Sequence, residues 1–149
     1  MKPVTVFAAA CLLVAAPALA AQKIAQAALP KAVQATVIEQ TKDATVLNIS
    51  KEVEKGRTVY EVETKRNGKT RDFVVDGAGT VLAVEEEVDP GSLPAAVKQT
   101  LDQQSAGGTL KRVEKVTRGK SVSYEAAVVK SGKTVEIAIG GDGVIQKGD

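Results

Sequence analysis

Along the chain, apolar positions follow two rhythms, a helical one and then an alternating one, and the pair occurs twice. In LPKAVQATV (29–37) and LPAAVKQTL (93–101), Val33, Val37 and Gln40 fall on one helical stripe, as do Val97, Leu101 and Gln104. Pro30 and Pro94 suit the first helical turn, where the missing N–H has no partner to lose and the ring presets φ. After each helix the period drops to two. Alternation predicts strands at 45–53, 57–66, 70–76 and 80–86, and again at 109–117, 121–130, 133–139 and 143–147. Lys55-Gly56, Asn67-Gly68 and DGAG (76–79) punctuate the first set, and RGK, SGK and GGDG the second. Glycine there supplies the positive φ that tight hairpins need.

The two segments superpose without a gap. One constant offset carries Leu29, Pro30, Ala32, Val33 and Thr36 onto Leu93, Pro94, Ala96, Val97 and Thr100, and Tyr60, Glu61, Gly68, Lys69 and Gly79 onto Tyr124, Glu125, Gly132, Lys133 and Gly143. The predicted fold is therefore α+β: a tandem repeat of a helix plus a four-stranded antiparallel sheet, with the helices packed on one sheet face. The predicted organisation is a leader at 1–20, a first repeat at 21–88 and a second at 89–149, with the break at EEEVDPGS, where Asp89-Pro90-Gly91 ends any regular element. Each half is short for a self-sufficient core, so the two sheets are expected to join edge to edge or the helices to pack together. Residues 22–28 read as an extra helical turn or a frayed start. Tyr60, Val62 and Thr64 face the helix in the first copy, and Tyr124, Ala126 and Val128 in the second, with Phe73/Val75 matching Ile137/Ile139. Glu61, Glu63 and Lys65 then take the opposite face, in water.

The first 20 residues change where this fold must work. Lys2, the apolar run from Val4 to Ala16, Pro17 and Ala18-Leu19-Ala20 form a secretory signal peptide, cleaved after Ala20. Cys11 lies inside the run without the upstream Leu of a lipidation site, and no later segment is long enough to span a bilayer. Cleavage removes the single Cys, so the mature protein has no disulfide or thiolate ligand. A periplasmic or secreted protein results, held together by packing and with no stable membrane insertion.

Charge adds little: 20 Lys and Arg against 18 Asp and Glu give no reason to expect nucleic acid as a partner. The absence of His and Trp removes the commonest general base, the commonest zinc ligand and His-dependent nucleophiles. A pH switch between about 5 and 8 is likewise not expected from ordinary side-chain values.

LPAAVKQTL followed by YEAAVVKSGKTVEIAIGGDGVI, and LPKAVQATV with YEVETKRNGKTRDFVVDGAGTVL, resemble the PepSY and PepSY-like (beta-lactamase-inhibitor-protein-like) family of exported bacterial domains, in two copies. The resemblance implies an antiparallel sheet covered by helices, an envelope or extracellular location, and binding or inhibition of other proteins, notably peptidases. It departs from inhibitors of that architecture in lacking cysteines and carrying few aromatics.

Tyr60 and Tyr124 read as half-buried core residues rather than surface anchors. Glu85, Glu86, Glu87 and Asp89 read as a strand end entering a solvated linker rather than a calcium site, and DGAGT (76–80) as a hairpin turn, since Ala78 and Thr80 occupy ligand positions of a calcium loop. GGTLKR (107–112) lacks Walker spacing and reads as the helix-to-strand loop. The candidate binding face is Glu61, Glu63, Lys65, Asp72, Glu125 and Glu136, with Arg71 and Lys133 nearby. It suits an envelope protein or an extended peptide as partner. The function expected is a non-catalytic, exported protein-binding module that modulates or inhibits an envelope peptidase, with no cofactor; the alternative is a structural or stress-related periplasmic protein that self-associates through its sheet edges. No pair of carboxylates is spaced to suggest a hydrolase.

Overall fold

Residues 21–147 are described in the computed structural model of the chain; the predicted leader, Cys11 included, lies outside them. Two compact units form. One runs up to Glu87 and takes in the hairpin tip Thr117–Lys120; the other comprises Val88–Val116 and the residues from Ser121 on.

In the first unit, strand β1 (Gln22–Lys23) and a short 3₁₀ turn (Gln26–Ala28) lead into helix α1 (Lys31–Gln40). Strands β2 (Thr45–Glu54), β3 (Arg57–Arg66), β4 (Lys69–Asp76) and β5 (Val81–Glu87) follow, each antiparallel to its predecessor. Residues 22–28 thus contain the extra helical turn, as a 3₁₀ turn at Gln26–Ala28, and begin not frayed but with Gln22 and Lys23 paired with Lys51 and Ser50 of β2. In the second unit, a 3₁₀ turn (Pro90–Ser92) precedes α2 (Ala95–Ser105), followed by β6 (Thr109–Arg118), β7 (Ser121–Lys130) and β8 (Lys133–Gly140) in that order across the sheet. The fourth strand position holds only Val144–Gln146 among the described residues, joined to β8 by the single bridge Ile139↔Ile145.

Both prolines sit one position earlier than expected. Pro30 and Pro94 are extended N-caps, with φ −54° and ψ near 145°. Their carbonyls accept the first helical bonds, from the Gln34 and Lys98 N–H groups at 2.9 Å, so the ring's fixed φ serves the turn into the helix. Three hairpins close with two residues of positive φ: Lys55-Gly56, Asn67-Gly68 and Ser131-Gly132. That geometry is the primed turn whose twist matches antiparallel strands.

The predicted faces hold. α1 sets Val33 and Val37 against Ile49, Tyr60, Val62, Phe73 and Val75. α2 sets Val97 and Leu101 against Val113, Tyr124, Ala126, Val128, Ile137 and Ile139. Both tyrosines are buried, as core residues. Burial of each such side chain stabilises by about 1.5–3 kcal/mol.

A second contact fixes each helix to its sheet, and it uses residues identical in the two copies. The Thr36 hydroxyl donates to the Gly79 carbonyl at 2.6 Å, and Thr100 donates to Gly143 at 2.6 Å. At Gly79 a Cβ would lie 2.8 Å from the Ala32 carbonyl oxygen, and at Gly143 it would lie 2.8 Å from Ala96 atoms. The last hairpin therefore touches the helix backbone directly, which is why Ala32/Ala96, Thr36/Thr100 and Gly79/Gly143 repeat together.

Candidate functional site

The helix-free face of the first unit is set by register. Ser50 of β2 stands opposite Glu61 of β3, which stands opposite Val74 of β4; Asn48 stands opposite Glu63. Side chains directly opposite in antiparallel strands share a face. This face therefore carries Glu52, Glu61, Glu63 and Asp72 in one neighbourhood. Asn48 Nδ2 donates to Glu63 at 3.0 Å, the Ser50 hydroxyl donates to Glu52 at 3.3 Å, and Asp72 accepts the Thr64 backbone N–H at 2.9 Å. Lys65 is exposed at the far end of β3.

The face is less open than expected from alternation. Glu61, Glu63 and Asp72 are half-buried, and Ser50 and Val59, beside Glu61, are buried. Burial is the main reason the Glu61 carboxyl is pushed up from 4.5 to about 7; the Glu52 charge, a hydrogen bond with Glu52 and the charges of Glu63 and Asp72 add to it. Ordinary side-chain values offer no group near neutrality; burial, joined by like charges on adjacent strands, makes Glu61 one.

Glu61 holds its proton more tightly folded than unfolded. Between about pH 4.5 and 7 the folded state binds more protons, so stability falls as pH rises through that window and stays lower above it. Glu61→Gln removes the repulsion without removing the hydrogen-bonding shape. The wild type is expected to lose on the order of 1–2 kcal/mol between pH 5 and pH 8 relative to this variant, after allowing for solvent screening. Urea midpoints at the two pH values measure it; parallel pH profiles would show that folding does not raise the Glu61 carboxyl.

In the second unit, Glu125 of β7 stands opposite Ala138 and Glu136 of β8 opposite Ala127, so the two carboxylates are diagonal neighbours on one face, both half-buried. The structure thus groups the candidate residues as Glu61, Glu63 and Asp72, with Lys65 at the margin, in one unit and Glu125 with Glu136 in the other.

Arg71 does not lie on the charged face. It shares the helix side of β4 with Phe73, its guanidinium 5.5 Å from the ring centroid, and donates to the Gln40 side chain at 2.8 Å, to the Gln40 carbonyl at 3.4 Å and to Glu86 at 3.3 Å. A cation at the C-terminus of α1 satisfies its last carbonyls and complements the helix dipole. Lys133 is exposed at the start of β8.

Glu52 was missed, although Ser50, Glu52 and Glu54 alternate in NISKEVE; a register irregularity between Val46 and Asn48 breaks the β2 pattern just before them. In the acidic run, Glu86 pairs with Arg71, Glu85 pairs with Arg118 at 3.3 Å, and Glu87 accepts the Thr70 N–H at 3.2 Å. Asp76 accepts the N–H groups of Ala78 and Thr80, as a hairpin turn requires. Among the described residues no group of three or more acidic side chains is arranged to hold a metal ion.

Residues 17–85 match the family model described as PepSY, peptidase propeptide and YPEB domain. No curated protein matches the chain. Three solved structures from Bacteroides share the fold. A BLIP-like protein of Bacteroides fragilis is 20% identical, with TM-score 0.60 over 81% of this chain and 85% of its own. A DUF2874-family protein of Bacteroides uniformis is 18% identical, with TM-score 0.62 over 79% and 86%. A protein of Bacteroides eggerthii, described as periplasmic, is 16% identical, with TM-score 0.65 over 80% and 86%.

Proposed function

We propose that this chain, whose residues 17–85 match the PepSY family model, is an exported, non-catalytic protein-binding module of the bacterial envelope, built from two PepSY-like repeats at 21–88 and 89–149. Its target is an envelope peptidase or another envelope protein, which it modulates or inhibits. The family description, the BLIP-like fold neighbour and the neighbour described as periplasmic support this reading. No helix among the described residues is long and apolar enough to cross a membrane.

The observation that carries the reading is the crowding of Glu52, Glu61, Glu63 and Asp72 on a face the helix leaves uncovered. Such crowding costs stability, and a basic surface laid on it would relieve the repulsion and draw Glu61 back toward its ordinary value. Association with a basic partner is therefore expected to release a proton below pH 7 and to tighten as pH rises from 5 to 7.

Capture from periplasmic extract, comparing the wild type with the triple variant Glu61→Lys, Glu63→Lys, Glu125→Lys, tests the assignment. The specific partner is expected to be lost from the variant. Identical partner lists would remove the sheet face from consideration.

A further inference from the structure

β1 is the slightest element of the first unit. It has two residues, Gln22 and Lys23, both exposed, and they pair only with Lys51 and Ser50 of β2. Behind it the Ile24 N–H donates to the Ile49 carbonyl at 2.9 Å, and the Ile24 side chain packs partly buried on the core beneath α1. A short exposed strand of this kind opens locally at far less cost than global unfolding.

Register puts Lys23 on the acidic face. Lys23 stands opposite Ser50, and Ser50 stands opposite Glu61, so the three side chains form one row across β1, β2 and β3 on the helix-free side. Ser50, short and buried, lies between the cation and Glu61, and Glu52 follows two residues along β2 on the same face. A lysine stem is long enough to span a cross-strand diagonal of about 7–8 Å. Gln22 falls on the helix side, opposite Lys51.

The other charged neighbours of Glu61 are mostly acidic. Glu52 and Glu54 come from β2, Glu63 from β3 itself, and Asp72 and Asp76 from β4. Glu54 stands opposite exposed Arg57, Asp76 is engaged by its own turn, and Asp72 accepts the Thr64 N–H. Glu85 of β5, opposite Asp72, pairs with Arg118. Arg57 and Lys65 lie toward the two ends of β3, which leaves Lys23 beside its middle.

We propose that β1 is a pH-sensitive latch, in which the Lys23 ammonium reaches over Ser50 to Glu52 and Glu61 and holds the strand to β2 more tightly once Glu61 is ionised. Linkage gives the direction. Glu61, pushed up to about 7, gains its charge where ordinary carboxylates are already ionised, so its attraction for Lys23 grows between about pH 5 and pH 8. Over that range the fold as a whole loses stability, because folding raises the Glu61 carboxyl. Docking of β1 runs the other way, because a cation beside Glu61 favours its ionised form. These opposite trends separate a local latch from a general effect of pH, and they hold whatever the face binds.

Amide exchange at pH 5 and pH 8 tests the latch, expressed as protection factors so that the pH dependence of the exchange chemistry cancels. Protection of the Ile24 N–H is expected to rise about threefold in the wild type, the effect of one added charge pair at about 8 Å in a largely aqueous setting. Protection of the core amides of Val62 and Phe73 is expected to fall. Lys23→Gln and Glu61→Gln should each flatten the Ile24 response, whereas Lys51→Gln, which removes a charge from the opposite side of the same strand pair, should leave it. Ile24 protection that stays level or falls with the core amides overturns the proposal. So does a rise that persists in Lys23→Gln.

Discussion

Gly143→Ala and Gly79→Ala are each expected to lower unfolding free energy by about 2–4 kcal/mol. Three effects combine. The backbone sits at φ +85° and +86°, a region that disfavours a side chain by about 1 kcal/mol or more. The new Cβ would press to 2.8 Å on helix atoms at Ala96 or Ala32. Those helices cannot retreat, because Val97 and Leu101, or Val33 and Val37, are already seated in the core. Moving the turn instead stretches the 2.6 Å bond from Thr100 or Thr36, worth on the order of 1 kcal/mol. Gly56→Ala is the control: its φ is +77°, yet nothing lies within 4 Å of the added Cβ, so it should show the backbone cost alone. Urea unfolding of the three variants measures the difference. Equal losses at positions 56, 79 and 143 would mean that the hairpin does not bear on the helix.

Phe73→Ala carries the other large effect, a loss of about 3–5 kcal/mol. Phe73 is 1% exposed and packs in the cluster of Val33, Val37, Val62 and Val75. Its removal opens a cavity under α1 and strips Arg71 of the ring beneath its guanidinium. Arg71 would stay tethered to Gln40 and Glu86 above an empty space. Phe73→Leu should cost far less, about 1–2 kcal/mol, since most of the volume remains. Denaturant midpoints for the pair decide the matter: a large loss in both would shift the importance from volume to the aromatic face.

What the sequence made legible was whatever depends on local periodicity. The stripe of Val33 and Val37, the alternation of Tyr60, Val62 and Thr64, and the glycine hairpins each announce themselves within a few residues, and the internal repeat shows them twice. Features set by cross-strand register were harder to see. Arg71 has the look of a surface charge in TRDFVV, but strand parity puts it beside Phe73, and only the position of the α1 C-terminus explains why a cation is stable there. Glu52 and Glu61 are distant in sequence, and their mutual repulsion exists only once β2 lies beside β3. The Pro N-caps differ by one residue from expectation, because a proline's fixed φ serves the cap as well as the first turn. The strand expected at 143–147 is a single bridge at Ile145 among the described residues, a difference that GVIQK, with apolar residues where GTVLA has its strand, does not reveal.

The proposed partner surface is the helix-free face of the first unit. Amide and side-chain NMR shifts of the protein, recorded on adding the partner recovered from periplasmic extract, test this most directly. Shifts are expected at Glu61, Glu63 and Asp72 on the open side of β3 and β4, with the Glu61 carboxyl losing its proton at pH 6. Shifts confined to the exposed sides of α1 and α2, with Glu61 titrating as before, would contradict it.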